Sequence, residues 1–226
     1  YAVHWQPAET AAGDYYDLVD LTADAPPGSP LDDPLAVWAL TLADVSGHGA
    51  AAAIEAVQFD AILRTYQGDE AEGPAGALTY ANRYFFSRRL RQRFLTAFAL
   101  LYRPDLRVAT YVDAGHPPLL HKRGVEVLAR GAGEQIPLGI LRDHVYENRR
   151  FEVESGDVFV LYTDGIVDAR DARQRPFGLE RLGALVASGP ADASALLALV
   201  RDEVVAHQGG TVGADDQTLI VLRIAH

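Results

Sequence analysis

Residues 35–49 read Leu-Ala-Val-Trp-Ala-Leu-Thr-Leu-Ala-Asp-Val-Ser-Gly-His-Gly. Up to Ala43 the run is apolar except for Thr41, of strand length and suited to a pleated, buried surface. It ends on Asp44 and passes through Gly47 and Gly49 into a helical pattern over residues 48–66. There Phe59, Ile62, Leu63 and Tyr66 fall at i, i+3, i+4 and i+7, one face of a helix. A buried strand therefore carries a carboxylate at its end, and a glycine turn leads into a helix. Upstream, residues 14–21 form a second strand-like run. Residues 22–34, rich in Pro, Gly and Asp, join the two as a hairpin with a long connection. Asp14 starts one strand and Asp44 ends the other, so antiparallel pairing sets them side by side.

After a break at residues 68–76, a second helix is expected over residues 77–91, carrying Leu78, Tyr84 and Phe85 and a basic end of Arg88, Arg89 and Arg91. Strands then dominate: 95–102 and 107–113 around Pro104-Asp105, 118–121 and 126–128 around Lys122-Arg123-Gly124, and 146–153 and 157–163 around Glu154-Ser155-Gly156. Ala193, Leu196, Leu197, Val200 and Val204 mark a further amphipathic helix, and residues 218–224 a buried last strand. Strands joined by short turns and helices that are grouped rather than alternating give an α+β fold with antiparallel sheets covered by helices. The number of strands calls for two stacked sheets.

The 226 residues are 49% hydrophobic and 23% charged, the balance of an ordinary globular domain. No apolar run reaches the ~20 residues of a membrane span, and no signal segment opens the chain. A net charge of −11 disfavours nucleic acid and favours cations or basic protein surfaces as partners. The absence of cysteine excludes disulfides, thiolate ligands and a cysteine nucleophile, and is compatible with a cytoplasmic location. Methionine is absent even at position 1, so a longer parent with chain before Tyr1 is expected.

Two further acidic groups lie at strand ends. Asp164 follows the apolar strand 158–163, and Asp215-Asp216 precedes the strand 218–224. If those strands pair antiparallel, the groups meet as Asp14 and Asp44 do. Crowded carboxylates raise one another's pKa unless a cation compensates. An all-oxygen donor set without Cys or His selects Mg²⁺ or Mn²⁺, and two such ions ~3.5–4 Å apart activate water and hold phosphate oxygens. Singly, each aspartate has an ordinary reading: an Asp-Gly turn at 164–165, a helix cap at Asp44, a solvated loop at 215–216. Their shared placement is what argues for a site.

Six segments, in order, resemble the PPM (PP2C-like) phosphatases of the bacterial RsbU and SpoIIE type. They are Ala12-Gly13-Asp14-Tyr15-Tyr16-Asp17, Asp44-Val45-Ser46-Gly47-His48-Gly49, Ala114-Gly115-His116-Pro117-Pro118, Pro137-Leu138-Gly139, Tyr162-Thr163-Asp164-Gly165 and Asp215-Asp216-Gln217-Thr218. The resemblance covers residues 12–224 and implies a single domain over 1–226, a four-layer α-β-β-α sandwich and a metal-dependent protein serine/threonine phosphatase. It implies two Mn²⁺ or Mg²⁺ ions: Asp44 bridging both, the Val45 carbonyl on one, Asp164 and Asp215 on the second, Asp14 acting through bound water, and Asp216 supporting the ligands from behind. A metal-bridging water would attack phosphorus without a phosphoenzyme. It further implies a phosphorylated regulatory protein as substrate, such as a STAS-type anti-sigma-factor antagonist, and with it sigma-factor control, an N-terminal sensor domain and homodimerisation.

The chain departs from the pattern in places. Ala12 replaces a glycine, the 22–34 connection is long, Ser46 stands where eukaryotic relatives carry a histidine linked to leaving-group protonation, and no arginine matches their phosphate-binding one. Ser46, Gly47, His48 and His116 are candidate substrate contacts. His116 alternatively only ties down its loop, and Gly47 and Gly49 either approach phosphate at the helix start or simply let the chain turn. Trp5 and Trp38 are expected in the core, and Arg88, Arg89, Arg91 and Arg93 at a solvated helix end. The rival readings are a pseudophosphatase that only binds a partner, and a two-metal hydrolase acting on nucleotides or nucleic acid.

Overall fold

The computed structural model describes residues 1–22, 36–47, 49–68, 72–87, 93–209, 213 and 215–225. Most of the 22–34 connection, His48, Arg88, Arg89 and Arg91 lie outside them. The elements are β1 (Ala2–Gln6), β2 (Asp14–Asp20), β3 (Trp38–Val45), α1 (Ala50–Leu63), α2 (Gly73–Ser87), β4 (Leu95–Arg103), β5 (Val108–Ala114), β6 (Leu119–Arg123), β7 (Glu126–Arg130), β8 (Arg149–Glu152), β9 (Val158–Tyr162), α3 (Asp164–Val167), α4 (Leu179–Ser188), α5 (Ala193–Gln208) and β10 (Gln217–Arg223).

Two five-stranded sheets form, ordered β1-β10-β9-β6-β7 and β2-β3-β4-β5-β8, with every strand pairing antiparallel. Side-chain alternation sorts each strand's residues between two faces. Leu40, Leu42, Phe98, Leu100, Phe159, Leu161 and Ile220 fill the space between the sheets. The opposite faces are covered separately. Ala43, Val45, Leu95 and Ala97 pack under α1 and α2 through Ala52, Ala56, Phe59 and Leu78. Val158, Val160, Leu219 and Val221 pack under α4 and α5 through Leu182, Val186, Leu196 and Val200. This is the expected α+β, α-β-β-α sandwich.

Several local expectations are corrected. The first helix ends at Leu63, so Tyr66 is not on its face. The second starts at Gly73 rather than 77, with Pro74 in its first turn, where the missing N–H costs nothing. Among the described residues its helix closes at Ser87. The strand expected over 146–153 is confined to β8, and β1, α3 and α4 were not foreseen. Trp5 sits on the edge strand β1 and is 46% exposed, not core; Trp38 is only partly buried. In α5 the sequence signals are direct: Asp192 caps it by accepting from the Ala195 N–H at 2.8 Å, and Gly209 ends it in the left-handed region.

Candidate active site

The hairpin register places Asp14 directly opposite Asp44, and Asp44 opposite Thr96 on its other side. All three lie on the inward face, in line with Leu40 and Leu42, at the end of the sandwich where β3 runs out. The partner sheet brings its own groups to the same end. β10 pairs antiparallel with β9, Leu219 opposite Tyr162, so residues 163–165 and 215–218 adjoin. Contact between the sheets is explicit: Thr163 Oγ1 and Thr218 Oγ1 both donate to Asp14 Oδ2, at 2.8 and 2.5 Å. The two pairs of acidic strand ends thus lie at one end of the sandwich.

Asp216 is buried, and both its carboxylate oxygens are taken by backbone. Ala8 N–H donates to Oδ1 at 2.8 Å and Gly13 N–H to Oδ2 at 2.7 Å. It ties the start of β10 to the segment that leads into Asp14. Asp215 is exposed, its Oδ1 accepting from the Asp216 N–H at 2.9 Å. Asp164 opens α3 behind Thr163. Two glycines make the close packing possible. A Cβ on Gly165 would stand 2.0 Å from the Asp216 carbonyl oxygen, and one on Gly13 3.1 Å from that of Val45. Ala12, the departure in the first motif, is a buried methyl beside it.

The carboxylates are crowded and partly dehydrated. Burial first, then the charges of Asp14, Asp164, Asp215 and Asp216, push Asp44 up to about 8. Burial lifts Asp14 to about 7, with Asp216 and Asp164 adding to it and the two threonine hydroxyls opposing it. Asp164 is raised too, by burial and then by Asp215 and Asp168. Without a cation these groups resist ionisation. Among the described residues no three acidic or histidine side chains close on a common point. Mg²⁺ keeps several waters and takes one or two carboxylates, so the donor chemistry fits a hard divalent ion that completes its shell with water.

Of the candidate substrate contacts, Ser46 is engaged: its N–H donates to Phe94 O at 2.9 Å and its Oγ accepts from Phe94 N–H at 3.1 Å, extending the β3–β4 ladder. Gly47 is exposed, with φ 91°. Of the two readings of His116, its burial at 3% exposure favours the loop tie over substrate contact. Its Nδ1 lies 3.0 Å from Thr96 Oγ1, its N–H donates to Asp113 Oδ1 at 2.8 Å, and burial pushes it down to about 3, so it stays neutral. Gly115 beside it has φ 71°, and a Cβ there would meet Pro137 Cγ at 2.6 Å, so the 114–118 and 137–139 segments pack directly on each other. The sequence reading missed the part of Thr163 and Thr218, although both were in quoted motifs. Their period-two spacing from Asp216 and Leu161 was the available signal.

Protein IcfG of Synechocystis is 23% identical over 96% of this chain and 37% of its own length. Phosphoserine phosphatase RsbU of Bacillus subtilis is 26% identical over 73% of this chain and 45% of its own. The chain therefore spans less than half of either relative. Among solved structures, the PP2C domain of SiaA from Pseudomonas aeruginosa superposes with a TM-score of 0.80 at 21% identity, covering 99% of this chain and 85% of that one. The family model described as Stage II sporulation protein E matches residues 36–225, and the chain belongs to this SpoIIE family of PP2C-like serine/threonine phosphatases.

Proposed function

We propose that this chain hydrolyses phosphoserine or phosphothreonine on a regulatory protein, using two Mg²⁺ or Mn²⁺ ions held at the carboxylate end of the sandwich. The observation that supports the reading is that Asp14, Asp164 and Asp215, from strand ends of both sheets, all act by charge on the partly buried Asp44, with Asp14 and Asp44 pushed up to about 7 and 8. Asp44 and the Val45 carbonyl would hold one ion, and Asp44, Asp164 and Asp215 the other. When bound, the ions supply a water of lowered pKa for in-line attack on phosphorus and neutralise the phosphoryl oxygens.

The chain's own residues prepare this. Thr163 and Thr218 pin one oxygen of Asp14, leaving the carboxylate to orient a water rather than to swing. Asp216 spends its charge on two backbone amides and holds the Asp14 segment in register. His116, neutral and buried, braces Thr96 beside Asp44 and takes no part in proton transfer. With His116 excluded, leaving-group protonation would fall to solvent rather than to this side chain.

A STAS-type antagonist is the substrate we favour, with sigma-factor control as the setting. This rests on the RsbU and SpoIIE resemblance, as do a sensor domain ahead of the chain, homodimerisation and a cytoplasmic location. Among the described residues no helix is long and apolar enough to cross a membrane. The test is substrate choice: phosphate release from a phosphoserine STAS protein, a nucleoside triphosphate and single-stranded DNA at equal Mn²⁺. Hydrolysis of the phosphoprotein alone is expected; turnover of nucleotide or DNA in its place would overturn the reading.

A further inference from the structure

The segment entering β4 is tied to the turn after Asp44. Phe94 makes two hydrogen bonds with Ser46, which fixes Arg93, one residue earlier, beside that turn. The Arg93 guanidinium lies over Gly47: a Cβ built there would be 3.6 Å from Nη1, 3.8 Å from Cζ and 4.0 Å from Nη2. Gly47 is exposed and has no side chain, so the guanidinium packs against bare backbone at the turn that follows Asp44 and Val45.

Among the described residues Arg93 is only weakly held. Its Nη1 is buried without a hydrogen-bond partner. Its ion pair, Nε to Glu55 Oε1 of α1, is 3.8 Å long, beyond hydrogen-bond range, with both side chains 22% exposed. Several other arginines are held more tightly. Arg123 grips Asp157 at 2.8 and 2.7 Å, Arg175 grips Asp171 at 2.8 and 2.7 Å, and Arg181 meets Glu203 at 2.8 Å. Arginine cannot escape the cost of a buried, unpaired N–H by losing its proton, so an unanswered donor here calls for a ligand.

We infer that Arg93 binds the phosphoryl group of the substrate, supplying at the entrance to β4 the anion contact for which the sequence shows no arginine in the family's usual place. The inference deepens the phosphatase reading and rests on it. A phosphomonoester dianion arriving at the carboxylate cluster meets repulsion from Asp14, Asp44, Asp164 and Asp215. The guanidinium offers two parallel donors matched to two phosphate oxygens. Its place beside Gly47 puts the guanidinium at the turn two residues after the proposed Val45 ligand. Gly47 serves the same end, since any side chain there would stand between the guanidinium and the ligand.

The test is binding of inorganic orthophosphate to the chain at saturating Mg²⁺, followed by calorimetry and ³¹P line broadening, for wild type, Arg93→Ala, Arg93→Lys and Glu55→Gln. Loss of one charge-assisted contact predicts that Arg93→Ala weakens binding by about 10- to 100-fold. Arg93→Lys recovers only part of it, because a point charge lacks the fork. Glu55→Gln changes it by no more than about two-fold, as expected for a long, weak ion pair. Circular dichroism of each variant establishes folding, and if Arg93→Ala does not fold, Arg93→Lys and Arg93→Gln carry the comparison. Equal phosphate affinity in wild type and the Arg93 variants, or no binding by wild type at millimolar phosphate, overturns the inference. Turnover of a phosphoserine peptide is measured in parallel. Arg93-dependent phosphate binding without turnover keeps the anion site and removes the phosphatase reading; turnover whose KM ignores Arg93 does the reverse.

Discussion

Thr218 Oγ1 donates to Asp14 Oδ2 at 2.5 Å, joining residues 204 positions apart and bonding β10 of one sheet to the first residue of β2 in the other. The contact closes the end of the sandwich at which the acidic groups gather. Thr218→Val keeps the shape and removes the donor, leaving a buried carboxylate under-satisfied. A loss of roughly 1–3 kcal/mol is expected, with Tm falling by about 2–4 °C per kcal/mol in a domain of this size. The Mg²⁺ concentration for half-maximal stabilisation should rise as well. Thr218→Ser should restore both. A thermal melt with Mg²⁺ titration reads the two effects; an unchanged Tm in Thr218→Val would contradict the role given to this bond.

The raised carboxylates fix the sign of the pH response. Asp14 and Asp44 bind protons more tightly in the folded chain, at about 7 and 8, than unfolded at 3.8. Their contribution to stability is therefore full below the unfolded value and is lost as pH rises through 7 and 8. Metal-free protein should melt lower at pH 9 than at pH 6, and saturating Mg²⁺ should shrink that difference. Melts at the two pH values, with chelator and with Mg²⁺, decide it. A metal-free Tm that climbs between pH 6 and 9 would mean the carboxylates are not crowded in the folded state.

Gly165 tests the packing behind the site. Gly165→Ala puts a methyl into the Asp216 carbonyl, and backbone cannot step aside cheaply. A cost of roughly 1–3 kcal/mol or more is expected, with a weakened Mg²⁺ response because the segments carrying Asp164 and Asp215 move apart. Gly183→Ala in α4, where a Cβ meets nothing within 4 Å, should instead stabilise by about 0.5–1 kcal/mol through helix propensity. Urea unfolding of both variants gives the comparison.

His116 is predicted to leave no mark on the pH-rate profile near neutrality. Its ring is buried and held neutral down to about 3. His116→Asn, which keeps a hydrogen-bonding side chain beside Thr96, should lower activity through positioning without moving either limb of the profile. Disappearance of the acidic limb in this variant would make His116 a proton donor after all.

The hairpin that pairs Asp14 with Asp44 was legible because a strand's end and its neighbour's start must coincide in an antiparallel pair. The last pair, 163–165 with 215–218, followed by the same rule. What periodicity could not supply was contact between sheets. Nothing local in Thr163 or Thr218 states that their hydroxyls reach across to Asp14, and nothing near Asp216 states that it spends both oxygens on Ala8 and Gly13. β1 escaped because a five-residue edge strand with His4 and an exposed Trp5 carries no clean alternation. The start of α2 escaped because Gly73, Pro74 and Gly76 read as a break, although proline is at home in a first turn. Arg93 belonged to a basic run whose bland reading was a solvated helix end, and only the turn after Asp44 shows what it borders.

Metal-dependent release of phosphate from a phosphoserine protein, wild type against Asp44→Asn, tests the central claim most directly. Wild type should be active with Mn²⁺ and silent with chelator. Asp44→Asn should be inactive at every Mn²⁺ concentration, yet melt higher than wild type without metal at neutral pH, since it removes a partly buried carboxyl that must take up a proton on folding. An Asp44→Asn protein that retains metal-dependent turnover, or a wild type that hydrolyses phosphoserine equally well in chelator, would contradict the assignment of the carboxylate end as a metal-dependent phosphatase site.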